Sequence, residues 1–425
     1  MSMHRLLLVL MWLSLLPWLA GAQPAQPHLH DQPAQGATTH LVEPGDTWAA
    51  LALRYGVPVA ELQAAAGQLN SRREPAIGAT LPLPPTGGET RGALLRLNEG
   101  GLLATAVRSG TSPWQLSLAN DIPSPYQPGL WRPLLVPGDE PVRELPGGVV
   151  TIAFTPEAPV PGQALAGHFT LRDGESQVAV ALDGQPWAVT VQGDNAVAVG
   201  GTGAFAAPGQ PELSLQTGTQ PVWRQPWVVA DRDWVFQQLT LTGDAAAIDQ
   251  TAIQAERERL AGLWSQVTPA AQWDAPFRLP IADYLEVSAD YGARRSYNGG
   301  PYRSYHEGTD FSAYAGTPVT APATGTVVLA EPLFVRGGAV IVDHGLGIFT
   351  GYYHLSSVLA TVGQRVEPGD ILGEVGTTGL STGNHLHWDL IVNGTWVDAM
   401  RWLEADTACW LLDALGSTCQ AAPQG

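Results

Sequence analysis

His385-Leu386-His387-Trp388-Asp389-Leu390-Ile391-Val392 is the stretch on which the reading of this chain turns. Its apolar close suits a β-strand, and side chains two apart on a strand share a face. Both imidazoles then point into one groove. Two other clusters precede it: His306-Glu307-Gly308-Thr309-Asp310 and Tyr353-His354-Leu355. Four of the ten histidines fall in these three places, beside one aspartate. His306, Gly308 and Asp310 share a parity if the backbone is extended, and the glycine between them clears room for an ion. Imidazoles and a carboxylate around one open position are the ligands of a catalytic Zn2+. Five candidates, His306, Asp310, His354, His385 and His387, compete for three places, and spacing alone does not divide them.

The rest of the composition narrows the class. A chain of 425 residues predicts three or four domains. Gly and Pro, at 48 and 35 residues, predict many turns and a bias towards β structure. The net charge of -18 leaves nothing to neutralise phosphates, so nucleic acid is excluded as a partner. Met1–Arg5 is positive, Leu6–Leu19 apolar, and Ala20-Gly21-Ala22 small. Residues 1–22 therefore read as a cleaved secretory signal rather than a membrane span, and no integral span is expected after processing. In an exported chain Cys409 and Cys419 are expected to pair within the C-terminal tail, 403–425.

Residues 23–38 are rich in Pro, Gln and Ala and read as a disordered tail, its His28-Leu29-His30 triplet included. Over 39–85 the pattern is strand, helix, helix, strand. The motif Val42-x-Pro44-Gly45-Asp46-Thr47, followed by Ala52-x-Arg54-Tyr55-Gly56-Val57 and Ile77-x-x-x-Leu81, closely resembles a LysM module. That resemblance implies binding of N-acetylglucosamine-containing glycans such as peptidoglycan or chitin. Residues 96–139 repeat the spacing without the Pro-Gly-Asp-Thr opening and read as a degenerate second LysM-like unit. From 147 to 232, short alternating strands predict an antiparallel β-sandwich that acts as a spacer or interaction domain, with His168 a packing or surface residue. Residues 245–267 predict a linker helix with Ile248, Ile253, Leu260 and Leu263 on one face. Its Glu256-Arg257-Glu258-Arg259 run reads as a solvated face.

Residues 277–402 alternate short apolar strands with glycine. Here the chain resembles the lysostaphin-type (LytM) zinc endopeptidases. The resemblance rests on Tyr291-Gly292-x-Arg294, His306-x-Gly308-x-Asp310, Thr317-Pro318-Val319-x-Ala321, Asp343-His344-Gly345, Tyr353-His354-Leu355, Gly376-x-Thr378-Gly379 and His385-x-His387. It implies that His306, Asp310 and His387 hold Zn2+, that His385 is the general base, and that His354 assists at the water or the oxyanion. Asp389 lies on the same strand face and is a candidate to orient a ligand imidazole. His344 is read as structural. Tyr302, Tyr305, Tyr353 and Trp388 belong either to the groove or to the core.

The expected fold class is therefore multidomain and mostly β: βααβ LysM modules, a sandwich spacer and a C-terminal antiparallel β peptidase domain. The expected function is an exported, wall-associated zinc endopeptidase, periplasmic or extracellular, that cuts peptidoglycan peptides while LysM holds the glycan. Two rivals are a catalytically silent wall-binding regulator of other hydrolases and a chitin-directed lectin.

Overall fold

The computed structural model describes residues 39–85, 89–95, 101–126, 133–240, 250–404 and 406–420. The expected signal (1–22) and tail (23–38) lie outside the described residues. Among the described residues no helix is long and apolar enough to cross a membrane.

Strands Thr39–Leu41 and Thr80–Pro82 pair antiparallel around helices Trp48–Tyr55 and Val59–Ala65. The Thr47 hydroxyl caps the first helix by accepting the Ala50 amide, and Gly56, at φ 64°, ends it. A second unit of the same order has strands Arg91–Leu95 and Leu134–Pro141 with helices Gly101–Arg108 and Pro113–Ala119. It opens on a strand that precedes the expected start at 96.

The first unit is not a loose bead. Gln225, fully buried in the sandwich, inserts its carboxamide between two of its loops. The Gln225 oxygen accepts the Gly45 amide at 2.9 Å, and its nitrogen donates to the carbonyls of Asp46 (3.2 Å) and Pro75 (3.0 Å). Thr47 also donates to Glu144, and Arg73 to the Gln210 carbonyl. A buried amide with all these partners fixes the orientation of the unit.

The sandwich consists of two four-stranded antiparallel sheets. Leu165, Phe169 and Leu171 of one sheet meet Leu213, Leu215 and Trp223 of the other around Trp227. Strand Asn195–Gly201 is apolar on both faces, and Val197 and Val199 pack outwards into the core of the C-terminal domain. A strand buried on both faces belongs to the middle of a larger body, so sandwich and C-terminal domain share one hydrophobic core.

The C-terminal domain is built on an eight-stranded sheet. Its strands are β1 (Glu286–Ala289), β2 (Thr309–Ser312), β3 (Gly325–Leu333), β4 (Gly337–Gly345), β5 (Ile348–Leu355), β6 (Arg365–Val366), β7 (His385–Val392) and β8 (Thr395–Val397). The order is β1-β2-β7-β5-β4-β3-β6, with β8 also on β7 and all pairs antiparallel. One face carries Leu386, Trp388 and Leu390 into the shared core. The other face, with Phe349, Tyr353 and Ile391, is covered over part of its length by Leu260 and Trp264 of the helix Gln250–Trp264. That helix is a lid on the sheet rather than a plain linker, and Glu256 within its charged run is buried rather than solvated. The Cys409–Cys419 disulfide is present, behind helix Thr407–Ala414.

His344, fully buried in β4, donates from Nδ1 to the Thr324 carbonyl and accepts at Nε2 from Thr350. It is structural, as expected. Burial pushes its pKa down to about 4. A folded pKa below the unfolded value means that stability is fully present above pH 6.5 and is lost as pH falls towards 4. The loss is roughly 3 kcal/mol. Denaturant unfolding of wild type and His344→Gln across this window checks the assignment, and equal pH slopes would sink it.

Candidate metal centre

The centre lies at the uncovered end of the face that the long helix covers elsewhere. Along β7 that face reads His385, His387, Asp389 and Ile391, from open end to covered end. β2 sets Asp310 directly opposite His387, and β5 sets Tyr353 on its other side. His306 stands just before β2, and His354 near the end of β5.

Three side chains converge. His306 Nε2, Asp310 Oδ1 and His387 Nδ1 lie 2.8–3.0 Å apart in pairs. His306 Nδ1 sits 3.0 Å from the Asp290 carbonyl, which can only accept, so this nitrogen carries the proton. In the neutral ring Nε2 then brings a lone pair to the cluster. Asp310 brings another: burial works to raise its pKa, but the charges and bonds of His306 and His387 hold it well below the usual carboxylate range. A single proton on His387 Nδ1 cannot serve both partners as well as a cation would. The donor set thus fits a metal ion, and among the described residues these meet the geometric demand for one.

Gly308 has a different job from the one expected. A Cβ there would fall 2.7 Å from His387 Nε2 and 2.3 Å from the Trp388 carbonyl. The glycine makes room for the His387 imidazole and the β7 backbone rather than for an ion.

Two more histidines flank the cluster, their rings 4.7 Å apart. His385 Nδ1 donates to the Gly383 carbonyl at 2.9 Å, and His354 Nδ1 to the Thr378 carbonyl at 2.7 Å. Each therefore keeps Nε2 as a bare acceptor in its neutral form, and His385 Nε2 is 3.8 Å from Asp310 Oδ1. His354 adopts φ 64°, a left-handed conformation that histidine rarely takes. Burial, then the neighbouring charges of His387 and His385, push its pKa down to about 3. A neutral His354 accepts a hydrogen bond at Nε2, and so orients a water; donating to an oxyanion requires the imidazolium that burial opposes.

Some expectations need correcting. Asp389 does not orient a ligand: it accepts from Trp396 Nε1 at 2.9 Å and is fully buried under the helix, where burial raises its pKa. Tyr353 and Trp388 are core residues. Tyr302 and Tyr305 are partly exposed and meet Phe236 and the sandwich residue Phe205 edge-on. Sequence reasoning missed Arg295, whose guanidinium lies 3.7 Å from Asp310 Oδ2, and the carbonyls of Asp290, Thr378 and Gly383. Backbone groups carry no residue-type signal, so no reading of side chains finds them.

The family model for peptidase family M23 matches residues 304–399, which contain all five site residues, and that for the LysM domain matches 40–84. Residues 304–399 thus form a peptidase family M23 domain, and 40–84 a LysM domain. Over 124 residues the chain is 38% identical to peptidoglycan DD-endopeptidase ShyA of Vibrio cholerae serotype O1, covering 29% of each chain. Over 118 residues it is 38% identical to DD-carboxypeptidase/endopeptidase Mpg of Neisseria meningitidis serogroup B, covering 28% of this chain and 27% of the relative. The chain thus spans less than a third of the length of these relatives. The catalytic domain of lysostaphin from Staphylococcus simulans is 32% identical, over 31% of this chain and 89% of that one, with a TM-score of 0.23.

Proposed function

We propose that this M23 chain is an exported zinc endopeptidase that hydrolyses peptide bonds in the cross-linked peptides of peptidoglycan. The observation that carries the reading is the pairing of a three-donor cluster with two flanking histidines whose Nδ1 atoms face backbone carbonyls, which leaves each neutral ring its Nε2 as an acceptor. His306, Asp310 and His387 would hold Zn2+, which when bound polarises a carbonyl and acidifies water. His385 Nε2 takes a proton from the attacking water, and His354 Nε2 accepts the other hydrogen bond and fixes the water's direction. The His385 imidazolium, steadied by the Gly383 carbonyl, then returns the proton to the departing amine nitrogen.

The names of the relatives support peptidoglycan as the substrate. The LysM match supports glycan as the second partner, with one net negative chain meeting an anionic wall through specific contacts rather than charge. The test is digestion of defined cross-linked muropeptides, with products weighed. Zinc-loaded protein should release new amino termini, lose that activity with chelator and regain it with Zn2+. A zinc-loaded protein that opens no muropeptide bond would end the enzyme reading.

A further inference from the structure

The long helix Gln250–Trp264 lies outside the stretch that matches the M23 family, yet one of its side chains reaches the frame of the site. Glu256 is buried, and its carboxylate accepts two amides of the turn between β3 and β4: Val335 N at 2.8 Å and Arg336 N at 3.3 Å. The two carbonyls of the same turn face the other way. Val335 O accepts the Leu380 amide at 2.7 Å, and Arg336 O accepts the His354 amide at 2.8 Å. Leu380 belongs to the loop whose Thr378 carbonyl holds His354 Nδ1 and whose Gly383 carbonyl holds His385 Nδ1. The turn and that loop touch backbone to backbone: a Cβ on Gly337 would fall 2.4 Å from the Thr378 carbonyl carbon.

The charges close the frame. Arg336 is buried over the Tyr353 ring and donates to Glu256 at 3.2 Å and to Glu307 at 3.0 Å. Glu307 adjoins His306 and is also bonded by Arg257 of the helix. A buried carboxylate with charged and backbone partners is held in one place, and so are its partners.

We propose that Glu256 is a positioning residue for the acid–base histidines, acting through the Val335–Arg336 turn to hold His354 in its left-handed conformation and the 376–383 loop against His385. This rests on the peptidase reading given above. Through Glu256 the helix then supports the catalytic geometry, although it lies some forty residues before the matched region and contributes no atom to the reaction.

The experiment compares full-length wild type, Glu256→Ala, Glu256→Gln and the control Arg259→Gln, whose ion pair with Glu331 is at the surface. Readouts are kcat and KM on muropeptides, zinc per chain, and amide hydrogen exchange at Val335, Arg336, His354 and Leu380. Misplacing a catalytic group by about 1 Å costs on the order of a hundredfold, so Glu256→Ala should lose about that factor in kcat. KM should stay within about twofold and zinc content should equal wild type, the signature of a loss confined to the reacting geometry. Glu256→Gln keeps one accepting oxygen and should fall between the two. The four amides should lose protection in the same order, and Arg259→Gln should match wild type throughout.

Wild-type kcat and wild-type exchange in Glu256→Ala would overturn the proposal. If that variant does not fold, Glu256→Gln decides: reduced kcat and protection uphold it, and unchanged values overturn it. A wild type that cleaves nothing ends the peptidase reading alone, and the exchange pattern still reads whether Glu256 holds the turn.

Discussion

His387→Ala is expected to empty the centre and abolish turnover. His387 is the hub of the three donors, 2.8 Å from Asp310 Oδ1 and 3.0 Å from His306 Nε2, and it sits on the central strand between β2 and β5. Removing it leaves Asp310 and His306 with one imidazole and one carboxylate, too few for a tight site. Loss of an outer-shell partner alone costs ten- to a hundredfold in metal affinity, so loss of this ligand should exceed about a hundredfold. Zinc per chain after dialysis against a competing chelator measures the first effect, and muropeptide cleavage the second. Asp310→Asn is expected to follow the same course, since it removes the anion that both histidines hold in its charged form. A His387→Ala protein that retains one tightly held zinc would remove this cluster from the mechanism.

His385→Ala is expected to separate chemistry from metal binding. Its Nε2 is 3.8 Å from Asp310 and outside the tight trio, so zinc content should stay at wild-type level. Loss of a general base lowers kcat by about 10²–10⁴-fold. His354 calls for a subtler replacement, because alanine at φ 64° adds backbone strain to the loss of the ring. Asn tolerates that conformation better, so His354→Asn reports on the imidazole and the step from Asn to Ala reports on the backbone. Because both rings are proposed to act on one water, the double variant should be barely worse than His385→Ala alone. Fully additive losses would show that the two histidines serve different steps.

Much of this site was legible because it is written in side chains. Two histidines two apart on a strand, and His-x-Gly-x-Asp before another, name their positions by chemistry and period. The roles within the site were less legible, because they depend on which ring nitrogen meets a carbonyl. Asp290, Thr378 and Gly383 make that choice with backbone oxygens, which look alike in every residue. Gly308 was misjudged for a related reason: what it accommodates is a side chain 79 residues away in sequence and a neighbouring strand. Glu256 was misread although a clue existed. It falls on the stripe of Ile253, Leu260 and Trp264, where a helix covering a sheet places buried residues. The mixed charges around it suggested solvent, and only the distant turn at Val335 explains why a carboxylate is there. Strand Asn195–Gly201 carried a similar clue: Ala196-Val197-Ala198-Val199 has no polar face, which a free sandwich strand would show.

Gln225 has a consequence for how such a protein meets a polymer. A glycan module on a flexible tether lets its partner domain search a sphere whose radius grows with the linker. Here the carboxamide bolted between the loops of the first unit, together with the core shared by sandwich and peptidase, removes that search. The offset from the first unit to the cluster at His387 becomes a fixed length and direction. Under the proposed function such a molecule would behave as a caliper, so that where a strand is gripped decides which peptide along it comes within reach.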